Sequence, residues 1–127
     1  MTEQLLAAGV YNRLQQAMAS DPQGFRDLYR EYLADARHAV ADLRTAFLQQ
    51  NFDNFRQRAH YLKSGSAVLG VVPLSTASAE MEEMGRSRDL SGAEDKLAAA
   101  TRILDEVEEE LALRLGRTVI PRPGEAA

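Results

Sequence analysis

Between Pro22 and Gln50 the chain carries one glycine near its start, no further proline, and apolar side chains at Phe25, Leu28, Tyr32, Ala36, Ala39, Leu43 and Phe47. Spacings of three and four run the length of the segment, the period of an α-helix with one apolar stripe. A helix this long cannot stand alone in water, because most helical stability comes from covering that stripe. The segment therefore demands a partner surface of comparable length, and a helical bundle supplies one. Asp21 is a good cap and Pro22 a good first residue, so the expected start is sharp.

Four further segments have the same period. Leu5, Leu6, Val10, Leu14 and Met18 mark a first helix over about residues 2–18. Asn51 is placed to cap a third helix, with Phe52, Phe55, Ala59, Leu62, Ser66 and Leu69 inward, ending near Gly70. Val71-Val72-Pro73 reads as the break, since a proline disfavours helix in the residue before it. Leu74, Ala77, Met81 and Met84 define a short fourth helix over about 74–87. Ser91-Gly92-Ala93-Glu94 has the pattern of a capping box opening a fifth helix, with Leu97, Ala100, Leu104, Val107, Leu111 and Leu115 in its stripe. No segment has the alternation of a strand. The expected fold class is all-α: an antiparallel four-helix bundle with an additional N-terminal helix covering one end. The expected domain is 1–115, and the Pro-rich stretch within 116–127 reads as a flexible tail.

The 127 residues suffice for one core. A net charge of −4 argues against a nucleic-acid role built on phosphate attraction. The chain has no cysteine, which removes disulfides, thiolate metal sites and cysteine nucleophiles and suits a cytoplasmic location. Residues 1–14 lack the basic cluster and apolar run of a signal peptide, and no segment approaches the roughly 20 apolar residues of a membrane span. No surplus apolar face asks for a second copy, so a monomer is expected.

Within the third helix, Ala59-His60-Tyr61-Leu62-Lys63-Ser64-Gly65 sets His60, Lys63 and Ser64 on one face. At about 100° per residue, His60 and Leu62 lie roughly 200° apart, so a buried Leu62 turns His60 to solvent. An exposed imidazole is a nucleophile near neutral pH. A lysine one turn on can neutralise charge, and small neighbours leave room for a phosphoryl group. His38, flanked by Asp35 and Asp42, superficially resembles a metal arrangement, but the pattern fits a solvated polar face better.

This stretch resembles the phosphorylation site of histidine-containing phosphotransfer (HPt) domains. Their pattern is Ala-His-x-Leu-Lys with a small residue next, and a Leu-Gly pair closing the helix, here Leu69-Gly70. Asn51-Phe52 upstream, and Glu82 and Gly85-Arg86 downstream, stand where the family has similar residues. Ser64 occupies the position most often held by glycine, with Gly65 following. The resemblance spans about residues 5–115.

It implies a phosphoryl carrier whose His60 accepts the group from an aspartyl phosphate on a receiver domain. Lys63 would steady the phosphoryl oxygens, Ser64 and Gly65 would keep the site open, and the Ser64 hydroxyl could donate to an oxygen. Arg86 would add charge from the fourth helix. Glu82 could orient the imidazole through its N–H, although as a lone acidic residue it reads more readily as a solvated charge. Arg56, Gln57, Ala67, Val68 and Val71 are the expected docking surface. The receiver would bring the magnesium, so no metal or cofactor is expected on this chain. No phosphate-binding glycine loop is present, so the resemblance implies no ATP-dependent kinase activity. The expected role is a relay between the receivers of a hybrid sensor kinase and a response regulator. A helical adaptor that binds a receiver without chemistry is the rival reading.

Overall fold

The structure is a computed structural model that describes residues 5–116. It contains five helices and, among the described residues, no strand: α1 (Ala8–Ala17), α2 (Pro22–Leu48), α3 (Phe52–Val68), α4 (Val72–Ser87) and α5 (Ala93–Leu115). Short turns reverse the chain between successive helices from α2 onward. α3 packs against both α2 and α4, and α5 closes the ring by packing on α2 and α4. The interior is filled by the predicted stripes, with Leu43, Phe55, Leu74, Met81, Leu97, Leu104 and Leu111 fully buried. None of the described helices is long and apolar enough to cross a membrane.

Two of the caps follow the sequence closely. The Asp21 carboxylate accepts from the Gly24 N–H at 2.9 Å, and Asn51 accepts from the Asn54 N–H at 3.1 Å. Each satisfies a backbone donor that the first helical turn leaves free. Beneath α3, the Tyr29 hydroxyl donates to the Leu69 carbonyl at 3.2 Å, and the Tyr32 and Ser66 hydroxyls pair at 2.8 Å. Ser66 thus enters the core with its polar atom satisfied.

α1 covers the end of the bundle where α2 begins and α5 finishes. Tyr11 meets Phe25 edge-on with ring centres 5.3 Å apart, and the Arg114 guanidinium lies 4.7 Å from the centre of the Tyr11 ring. The Ala7 N–H donates to the Gly70 carbonyl at 2.8 Å, tying the approach to α1 to the α3–α4 turn. Gly70 has φ +75°, and a Cβ there would stand 2.9 Å from the Val10 side chain. Only glycine meets both demands.

Three helix starts differ from the sequence-based expectation. α1 begins at Ala8 rather than residue 2; Leu5 to Ala7 are non-helical, although Leu6 is buried, and residues 1–4 lie outside the described part. α4 begins at Val72, two residues early, because a proline in the first turn lacks only an N–H that has no partner there anyway. The Ser91 capping box does not form. Asp89 accepts from the Ser91 N–H, and Gly92 caps α5 in the left-handed conformation without a side-chain bond. The tail expected after residue 116 lies outside the described residues.

Candidate phosphoryl-acceptor site on α3

The inward stripe of α3 fixes the opposite face. Phe55, Ala59, Leu62 and Ser66 are buried, so α3 has one rotational setting, and His60 emerges with 58% of its side chain exposed. The imidazole rides on the middle of a helix held by packing on both flanks, not on a loop.

Its partner is Glu82, one helix away. His60 Nδ1 lies 2.8 Å from Glu82 Oε2, and Lys63 Nζ lies 2.5 Å from Glu82 Oε1. The Glu82 side chain is only 9% exposed. The hydrogen bond from Lys63 is the main influence holding its carboxyl below the usual range; burial opposes this, and the bond with His60 assists. Glu82 is therefore ionised at neutral pH and can only accept hydrogen bonds. Nδ1 must then be the donor, so the neutral ring carries its proton on Nδ1 and its lone pair on Nε2. Nε2 has no protein hydrogen-bond partner among the described residues. The arrangement leaves one nucleophilic nitrogen free on an oriented, accessible ring.

Gly85 makes this reach feasible. A Cβ there would lie 2.8 Å from the Arg56 backbone nitrogen and 2.9 Å from its Cα. The missing side chain lets α4 lie close against α3, and Glu82, nearly one turn earlier, meets His60. The sequence carries one signal for this role: Gly85 is a glycine inside a helix, which costs about 1 kcal/mol relative to alanine and asks for a packing reason.

The structure distributes the other predicted residues unevenly. Lys63 joins His60 and Glu82. Arg86 is more than half exposed, pairs with Glu83, and brings Nη2 to 3.6 Å from Glu82 Oε2. Ser64 is exposed, and open space surrounds the Gly65 Cα. Gln57 and Ala67 are exposed, Val68 is 70% exposed, and Arg56 is half-buried against α4. Two expectations are corrected. Val71 is fully buried and is core, because the chain turns inward to start α4 and its N–H bonds to the Ser66 carbonyl; its neighbour Val72 takes the exposed place. Glu82 is not a solvated charge, because close α3–α4 packing places it between two cationic or donor side chains. His38 is exposed on α2, and no three His, Asp or Glu side chains converge as a metal site would need among the described residues.

Comparison with known proteins bears on the family and the fold. The family model of the Hpt domain matches residues 27–112. The crystal structure of histidine-containing phosphotransfer protein B (HptB) from Pseudomonas aeruginosa PAO1 superposes with a TM-score of 0.83 at 23% sequence identity, over 91% of this chain and 98% of that one. At that identity the likeness speaks for the fold. No curated protein matches the chain. The family match runs from the first turns of α2 almost to the end of α5 and includes every residue of the His60 cluster, so the chain belongs to the Hpt family and is a histidine phosphotransfer protein.

Proposed function

We propose that the chain relays a phosphoryl group between two receiver domains, from a hybrid sensor kinase to a response regulator, in the cytoplasm. Nε2 of His60 attacks the phosphorus of a receiver's aspartyl phosphate in line. The P–O bond to the aspartate breaks, its carboxylate leaves, and a P–N bond holds the group on the imidazole. The reverse displacement by a second receiver's aspartate discharges it. The observation that carries this reading is the split between the ring nitrogens: Nδ1 engaged by Glu82, Nε2 unengaged on an exposed side chain.

Phosphoryl transfer asks mainly for positioning and charge stabilisation. Helical side chains lean toward the N-terminus, so Lys63 and Ser64 lean over His60 from the following turn. Lys63 exchanges its bond to Glu82 for the arriving phosphoryl oxygens, with Arg86 as a second cation beside them. Gly65 keeps the approach unobstructed. Arg56, Gln57, Ala67 and Val68 surround the ring and meet the receiver, which brings the aspartate and the magnesium.

The test mixes the chain with a labelled phosphorylated receiver. Acid-labile, alkali-stable label on the wild-type chain, and none on His60→Gln, is the expected result. Receiver binding that survives His60→Gln while no label ever reaches the wild-type chain would instead identify a non-catalytic adaptor.

A further inference from the structure

Arg86 hangs between two carboxylates. Glu82 and Glu83 are consecutive on α4 and point about 100° apart, and Arg86 follows them at spacings of four and three. Glu82 turns inward to His60 and Lys63, with 9% of its side chain exposed, whereas Glu83 is 63% exposed. The guanidinium is forked. Its Nη2 comes to 3.6 Å from Glu82 Oε2, the oxygen that holds His60 Nδ1, while Nη1 donates to Glu83 Oε2. Glu83 has no other ion-pair partner among the described residues.

The formal charges of Lys63 and Arg86 cancel those of Glu82 and Glu83. A phosphoryl group on Nε2 of His60 brings negative charge and new acceptor oxygens to this balanced cluster, and a forked guanidinium suits such oxygens. Arg86 then has two rival claims on it, from the phosphoryl oxygens and from Glu83. Its ion pair with Glu83 is exposed at both ends, so water and salt screen it and breaking it costs little. Lys63, by contrast, is bound to a carboxylate that is almost enclosed.

We propose that Glu83 is a positioning residue: it draws Arg86 away from His60 and competes for it with the bound phosphoryl group, so that the phosphohistidine is held loosely enough to be passed on. The inference rests on the phosphotransfer reading above and deepens it. A carrier must accept and release the same group, so its loaded and empty states have to stay close in free energy. A cation that closes on the phosphoryl oxygens favours the loaded chain, and a carboxylate that withholds that cation favours release. Glu83 acts on the phosphoryl group through Arg86 alone.

The partition of label between the full chain and a receiver domain that loads it, read at exchange equilibrium, tests this. Glu83→Gln keeps the size of the side chain and removes its charge. It should move the partition about threefold toward the chain at low salt, and less at high salt. Damage to the fold would not mimic that gain. Arg86→Gln should move the partition toward the receiver, and the deciding variant is Glu83→Gln combined with Arg86→Gln, which should match Arg86→Gln alone. Phosphorus-31 spectra give a second reading. The phosphoryl group of Glu83→Gln should ionise at lower pH than that of the wild type, because a nearer guanidinium favours the dianion, and this difference should vanish without Arg86. An unchanged partition in either single variant, a shift of Glu83→Gln toward the receiver, or an effect of Glu83 that persists without Arg86 would each overturn the proposal. Those outcomes leave the relay reading standing, because they all require label to reach His60; absence of label on the wild type would remove the relay reading itself.

Discussion

At the scale of single residues, the site turns on one carboxylate with three neighbours. Removing it should be felt in the ring before it is felt in the fold. Glu82→Ala is expected to lower the transfer rate on the order of 10- to 100-fold, by analogy with metal-bound histidines that lose their orienting partner. Nitrogen-15 spectra of the imidazole should show the proton no longer confined to Nδ1, and an unchanged tautomer would contradict the assignment. The same carboxyl makes stability depend on pH. Its proton affinity is depressed in the folded chain, chiefly by Lys63, so the unfolded chain binds more protons as acid is added. Its stabilisation is present above the ordinary glutamate value of 4.5 and is lost as pH falls through the lower folded value. Urea unfolding across acid pH should therefore show a shallower fall in stability for Glu82→Gln than for wild type. His60 and Lys63 were legible in the sequence because they share a helix, where spacing fixes direction. Glu82 was not, because its environment comes from how closely another helix approaches. Val71 was misplaced for a related reason: a residue between helices has no period to reveal its side.

Among elements, the α3–α4 contact has the tightest tolerance. Gly85→Ala would press a methyl against the Arg56 backbone, which cannot rotate away as a side chain can. A loss of about 1–3 kcal/mol is expected from overpacking, read by denaturant unfolding, together with slower transfer as Glu82 is pushed off His60. Gly65→Ala, on the same helix as His60, meets open space and should raise stability by up to about 1 kcal/mol. Opposite signs for the two Gly→Ala changes would be hard to obtain unless Gly85 sits at a close helix approach and Gly65 does not. The stripes of α2 to α5 were readable because burial repeats with the helix period. The helix starts were less so: Pro73 permits a first turn as readily as it breaks one, and the Asp89 carboxylate takes the Ser91 N–H that the box would have given to Glu94.

For the whole molecule, the tyrosines at the α1 end and beneath α3 act as a brake on alkaline solution. Burial pushes the Tyr29 and Tyr32 phenols up to about 12 from the ordinary 10.0. Their contribution is complete below pH 10 and disappears as pH rises through about 12, because only the unfolded chain ionises readily in that interval. In a Tyr61→Phe chain, which removes the half-exposed phenol, tyrosinate absorbance and loss of helical circular dichroism should therefore rise together over that range; phenolate appearing in an intact helical chain of that variant would show the remaining rings to be less enclosed. The single free nitrogen of His60 has a further kinetic consequence under the proposed relay. One doorway serves both deliveries and departures, so a donor and an acceptor must queue. Turnover should follow a ping-pong pattern, and a surplus of empty acceptor should jam loading by standing in the entrance.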